Sequence, residues 1–552
     1  MPSVSAHVAA TLATHVHHVF GVMGNGNAYF LDALVRDGNV PYTAARHEAG
    51  SVMAADAHFR AGGGLAAATT TYGAGFTNTM TALAEAVQAH VPLVLVVGDE
   101  PTSGPRPWDV DQIAMASAVG ARTYTVGLTD AAATTSIAVE HALRFNVPTV
   151  LAIPYDVARL EAGPVPETAP LRPVAPLAPA GAFADAAMND VAAALAGAQR
   201  PFLLAGRGAW LSGAGDTLGE LAALTHSVTA SSALGRGIFP EGEYDLGVAG
   251  GFGAPGAMEL VREADVAVVF GAVLNQFTMR FGELFAPGTR IIQVDTNPTA
   301  THPYVGTYLR GDARLVAAQL VERVAALGAS SEASGWREAV DFTGLRDYDA
   351  APEFASDGRL DPRSVAARIG ELLPQDRVVV SDGGHFLGWA NMYWPVAAPD
   401  RMLMVGTAYQ TIGTGFPSMP GAAAAKPDST VVLTTGDGGG LMALADLETA
   451  VRTCRGHGLA VVWNDAAYGA EVNLYGVLGL ATEPMLIPEV DFAALTEALG
   501  GRGVVVRSLA DLDVLGEWAA LDPEARPFLT LDLRISTTVI APHQHEVIEQ
   551  NR

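Results

Sequence analysis

Short apolar runs punctuate the chain: PLVLVVG at 92–98, TVLAIP at 149–154, PFLLAG at 201–206, VAVVFG at 266–271, RIIQVD at 290–295, VVLTT at 431–435 and LAVVW at 459–463. They do not alternate with polar residues, and most end on Gly, Pro or Asp, so they predict strands buried on both faces. The stretches between them read as helical, which predicts an α/β class with parallel sheets covered on both sides. The pattern runs through three units. Residues 1–160, 183–330 and 357–552 are each predicted as a doubly wound parallel-sheet domain. A Pro- and Ala-rich stretch at 161–181 reads as a surface linker, and a polar segment at 330–359 separates the second unit from the third.

Composition narrows the range of partners. A chain of 552 residues with 49% hydrophobic and 16% charged residues can bury several cores. Its formal charge of −26 repels nucleic acid and anionic membranes, so an anionic substrate must meet local positive charge. The single Cys454 excludes an intramolecular disulfide framework and predicts a buried, apolar role in a reducing compartment. The N-terminus lacks the basic start and apolar core of a signal peptide, and no run reaches transmembrane length, so a cytoplasmic protein is expected.

The chemistry concentrates between Val431 and Tyr468. An apolar strand leads into Gly436-Asp437-Gly438-Gly439-Gly440, an amphipathic helix beginning near Leu441 follows, and the next strand ends on Asn464-Asp465. A hard cation bridging a diphosphate needs oxygen ligands from neighbouring strand ends; Asp437 offers a carboxylate and Asn464 an amide oxygen, while the glycines let backbone N–H groups approach phosphate.

This constellation resembles the thiamine diphosphate-dependent enzymes, whose signature is Gly-Asp-Gly followed one βαβ unit later by an Asn pair. Gly439 replaces the usual Ser or Ala, and Asp465 the second Asn. The resemblance covers essentially the whole chain and is to the acetohydroxyacid synthase, 2-oxo acid decarboxylase and benzaldehyde lyase type. It implies pyrimidine-binding, middle and diphosphate-binding domains in that order, and a homodimer or homotetramer with active sites at the subunit interface. Mg²⁺ would be held by Asp437, Asn464 and the carbonyl of Ala466. Gly24, Gly73, Asn78, Gly384, His385, Thr411, Ile412, Gly436, Gly438, Gly439 and Tyr468 would contact the cofactor.

For catalysis the resemblance points to Glu48 as the acid against the pyrimidine ring, where burial would let it share a proton; the residues alone favour a helix-start Glu helping the macrodipole. His47, His385 and Glu471 join it as catalytic candidates, and Asn25, Asn27, Arg46, Trp108 and Phe386 as substrate contacts. Several keep a second reading: Asn25 or Asn27 as a loop-closing Asx turn, His385 as a helix-start residue bonded to backbone, and Ile412, the candidate for bending the cofactor, as a core side chain. His90 is either a cofactor neighbour or a helix cap. His15, His17 and His18 read as one helix face, and His543 and His545 as surface residues.

The implied reaction is decarboxylation of a small 2-oxo acid with carboligation to a second carbonyl compound, acetolactate synthase-like. The alternatives are release of an aldehyde, for which Glu471 stands at the decarboxylase offset, and a non-catalytic nucleotide-binding protein on the same fold. Against a plain decarboxylase, the loop after Gly98 reads Arg106-Pro107-Trp108-Asp109-Val110-Asp111-Gln112, without a His-His pair. FAD in the middle domain is possible but not favoured, because no full glycine fingerprint follows its strands.

Overall fold

The computed structural model describes residues 1–37, 40–239, 242–328 and 335–551. The expected end of the middle unit at 330 lies outside them. The strands form three six-stranded, wholly parallel sheets. The first holds β1 (His18–Gly21), β2 (Tyr42–Ala44), β3 (Ala66–Thr70), β4 (Val94–Asp99), β5 (Arg122–Thr125) and β6 (Thr149–Pro154) in the order 2-1-3-4-6-5. The second holds β7 (Pro201–Ala205), β8 (Val228–Ser231), β9 (Asp245–Val248), β10 (Val266–Phe270), β11 (Arg290–Asp295) and β12 (Thr307–Arg310), ordered 9-8-7-10-11-12. In the third, β13 (Arg377–Ser381), β14 (Met402–Met404), β15 (Thr430–Gly436), β16 (Gly458–Asn464), β17 (Arg502–Val506) and β18 (Leu529–Arg534) run 14-13-15-16-18-17, the order of the first sheet.

The central strands are buried along their whole length, as their continuous apolar character requires. In the third sheet the chain leaves β13 one way and returns to β15 the other way, so the carboxyl ends of β13 and β15 open a crevice at a topological switch point. That crevice receives the glycine turn.

The first and third domains meet through helices Glu48–Arg60 and Gly415–Ala425. The approach is close enough that a Cβ on Gly421 would stand 1.9 Å from the carbonyl oxygen of Ala54. Gly421→Ala is therefore expected to lower the unfolding free energy in urea titration by about 2 kcal/mol, the cost of forcing a packed interface apart. Beside this contact the buried Arg60 guanidinium binds Asp56 and Glu85 and donates to the carbonyl of Met404, while Glu85 accepts the N–H groups of Ala408 and Tyr409.

Three sequence expectations change. The N-terminal helix is Val4–Leu12, so His15, His17 and His18 share no helix face; His18 begins β1 and stacks on Phe20 at 4.4 Å. The helix of the glycine turn starts at Asp437 and ends at Met442, four residues earlier than expected, because Gly438, Gly439 and Gly440 take helical backbone where a Cβ would strike Tyr468, Asp382 and Phe492. His543 is buried, not at the surface: it opens the helix Pro542–Gln550, packs edge-on against Phe252 at 5.2 Å, and has its imidazole pKa pushed down to about 3 by burial and by neighbouring His385 and His545. Cys454 is buried at the end of the helix Leu444–Thr453, and burial pushes its thiol up to about 12.

Candidate active site

The turn at the end of β15 and the strand end of β16 lie side by side, Gly436 facing Trp463 in the ladder. The Asn464 amide is turned by its surroundings: its Nδ2 donates to the carbonyl of Val490 at 3.0 Å and to Asp532 at 2.9 Å. Its oxygen is thereby left buried and without a partner, as are Asp437 Oδ2 and Asp465 Oδ1. Unpaired buried oxygens cost on the order of 1–3 kcal/mol each, so three of them at two adjoining strand ends mark a place for a cation or donor. Burial, with Asp465 nearby, pushes the Asp437 carboxyl up to about 7. Ala466 takes φ +60°, a conformation disfavoured for any residue with a Cβ, and its carbonyl accepts from Ile487 N–H at 2.9 Å with one lone pair still free. The donor set, a carboxylate, an amide and a carbonyl, is the oxygen chemistry that Mg²⁺ takes.

Around this cluster stand Tyr468, packed on Gly438, and His385, whose Nε2 meets Asp465 Oδ2 at 2.9 Å. Burial disfavours the imidazolium, but Asp465, Asp437 and Glu471 outweigh it and raise the His385 pKa. Glu471 is exposed in the first turn of the helix Gly469–Leu474. Ile412 is 37% exposed, so it is no core residue in the single chain, whereas Thr411 beside it is buried. Gly384 takes φ +147°, where its missing Cβ would collide with the Phe386 ring.

The first domain supplies a second group. Glu48 begins its helix half-buried, not enclosed, and accepts from Asn78 Nδ2 at 2.9 Å. Gly73, at φ +61°, lies under the carbonyl of Trp108, whose ring is 60% exposed. Asn25 is exposed and donates to the Tyr72 hydroxyl, and Gly24 donates its N–H to Asn27. Arg106 is clamped by Asp109 at 2.8 Å and lies 4.0 Å over the Tyr72 ring. Among the described residues no hydrogen bond or ion pair joins Glu48, Asn78, Asn25 or Trp108 to the Asp437 cluster.

Several expected site residues have other work. Asn27 is buried and closes its own loop, accepting from Gly24 N–H and donating to Val22 O and Thr69 Oγ1, which removes it from the substrate contacts. Phe386 is 2% exposed and packs in the core beneath the glycine turn, against Gly436. Arg46 pairs with Glu448 at 2.7 Å across the domain junction, and His47 Nδ1 caps its helix by accepting from Ala49 N–H. His90 is exposed at φ +53° and ends the helix Met80–Gln88.

Two buried aspartates were missed. Asp532 on β18 holds Asn464 and the Phe492 N–H; Asp382 gathers Gly383 N–H, Thr414 and Thr435, stitching the loops after β13 and β14 to β15. The lone Asp in the apolar run FLTLDLR at 528–534 was a readable signal for the first.

A doubly wound α/β protein with a glycine turn at its switch point and unsatisfied buried oxygens on the adjoining ends of β15 and β16 is thus defined. Residues 2–121 match the thiamine pyrophosphate enzyme N-terminal TPP binding domain, 188–320 the central domain and 382–529 the C-terminal TPP binding domain. The chain belongs to the thiamine pyrophosphate enzyme family, and it is similar to proteins of several activities within it. It is 27% identical to the probable acetolactate synthase large subunit of Methanocaldococcus jannaschii, over 91% of this chain and 86% of that protein. Against the sulfoacetaldehyde acetyltransferase of Roseovarius nubinhibens the identity is 26%, over 98% and 93%. The solved thiamine diphosphate-dependent 4-hydroxybenzoylformate decarboxylase of Rhodococcus jostii RHA1 shares the fold with a TM-score of 0.77 at 21% identity, covering 97% of this chain and 99% of that one. Among the described residues no helix is long and apolar enough to cross a membrane.

Proposed function

We propose that this enzyme uses thiamine diphosphate and Mg²⁺ to decarboxylate a small 2-oxo acid and ligate the remaining acyl unit to a second carbonyl compound. The carrying observation is the set of buried, unpartnered oxygens on Asp437, Asn464 and Asp465. Asp437, Asn464 and the Ala466 carbonyl would hold the metal, with the glycine turn beside them taking the diphosphate. When bound, the cofactor supplies an electron sink for the bond that breaks. Glu48, kept in place by Asn78, would hold a proton at the pyrimidine nitrogen. Glu471 would move protons near the reacting carbon, His385 would face the diphosphate, and Asn25 and Trp108 would line the acceptor side.

Glu48 and Asp437 fall in separate groups, and apolar side chains at Met23, Trp108, Ile412, Met442, Val477 and Leu486 stand exposed. Their exposure supports completion of each site by a second copy of the chain, as a homodimer or a pair of dimers. The acetolactate synthase and acetyltransferase relatives support ligation. The exposed Glu471 at its offset favours a second reading, protonation and release of an aldehyde. The middle domain is assigned a structural role without FAD: a Cβ on Gly206 would lie 2.4 Å from Gly271 O, so the chain's own backbone fills its β7/β10 crevice.

With pyruvate, thiamine diphosphate and Mg²⁺ supplied, acetolactate is expected to accumulate over acetaldehyde. Acetaldehyde as the sole product would replace ligation by the second reading.

A further inference from the structure

His385 follows β13 and Asp465 follows β16, and these strands flank β15 on either side. An ion pair between them therefore spans the mouth of the Gly436–Gly440 turn. The contact is made at 2.9 Å with the side chains 14% and 2% exposed. The space is cleared for it: a Cβ on Gly469 would lie 2.5 Å from both Cε1 and Nε2 of His385 and 2.8 Å from Asp465 Oδ2. Nearby, His543 of the C-terminal helix packs on Gly388.

A carboxylate only accepts hydrogen bonds, so the shared hydrogen sits on Nε2 and the ring cannot turn over without losing it. An Asn at 465 could pair with either face of the imidazole. Resting on the cofactor assignment above, we propose that Asp465 is a positioning residue: it holds His385 by Nε2–H across the turn so that, with the ring as imidazolium, Nδ1–H donates to an anionic oxygen of the bound diphosphate. The departure of position 465 from the Asn of the family signature thus has a partner in His385.

The test is a double-mutant cycle read by calorimetric titration of the full-length protein with thiamine diphosphate in Mg²⁺. D465N and H385Q should each weaken binding about tenfold, and D465N/H385Q no more than H385Q alone. Losses that multiply to about a hundredfold would mean that Asp465 acts on the metal independently of His385, and would overturn the role. In ¹⁵N-histidine-labelled protein without ligand, the Nε2 resonance lost in H385Q should shift in D465N; an unmoved resonance also overturns it. Should D465N not fold, G469A displaces the same ring and should show the same loss of affinity, with unchanged affinity counting against the proposal. Wild-type protein giving no heat would sink the cofactor assignment and this role together. Wild-type binding with an unaltered D465N would sink this role alone.

Discussion

Glu48→Gln is expected to lower kcat by about 10²–10⁴-fold while leaving the calorimetric affinity for thiamine diphosphate within about threefold. The substitution keeps the size of the side chain and its hydrogen bond with Asn78, at the first position of the helix Glu48–Arg60. What it removes is the carboxyl group proposed to hold a proton at the pyrimidine ring. Because Glu48 stands only half-buried in the single chain, the enclosure such a group needs would come from the second copy. The effect should accordingly appear in kcat and not in thermal stability. Turnover at the wild-type rate would remove Glu48 from the chemistry.

The second large effect is expected at Asp437. Without ligands its carboxylate is buried with Oδ2 unpartnered and Asp465 close by, which pushes its pKa up to about 7. A carboxyl raised in the folded state costs stability as pH rises from the unfolded value near 4 through the folded one, by about 1.4 kcal/mol per pH unit across that window. Asp437→Asn should therefore melt higher than wild type at pH 8 in the absence of ligand and about equally at pH 4. With Mg²⁺ and cofactor present the ranking should reverse. The wild type gains about 2.7 kcal/mol at a hundredfold excess over Kd, while the variant, lacking the anionic ligand, gains little. Differential scanning calorimetry at both pH values, with and without ligands, reads this directly. An Asn variant stabilised by cofactor as strongly as wild type would exclude Asp437 from the metal.

The architecture was legible because strands buried on both faces leave continuous apolar runs, and the glycine turn because close backbone approach tolerates few alternatives. Asp437 and Asn464 could be singled out from spacing alone, since β15 and β16 are neighbours joined by one crossover. The errors follow from partners that only tertiary structure supplies. Asn27 and Phe386 belong to residue types that serve equally in sites and in interiors, and their contacts with Thr69 on β3 and with Gly436 come only from the fold. Arg46 was read as a substrate contact because its partner Glu448 lies 402 residues away in sequence. Asp532 and Asp382, which orient the functional loops, look in sequence like polar interruptions.

The Arg60 guanidinium, paired with Asp56 and Glu85 of its own domain, donates across to the Met404 carbonyl while Glu85 accepts the Ala408 and Tyr409 N–H groups, so parting the outer domains would break these buried hydrogen bonds together. Such a clasp couples their melting: heat should disassemble the two in a single cooperative endotherm, and proteolytic excision of either should leave the other an aggregation-prone fragment instead of a free-standing module.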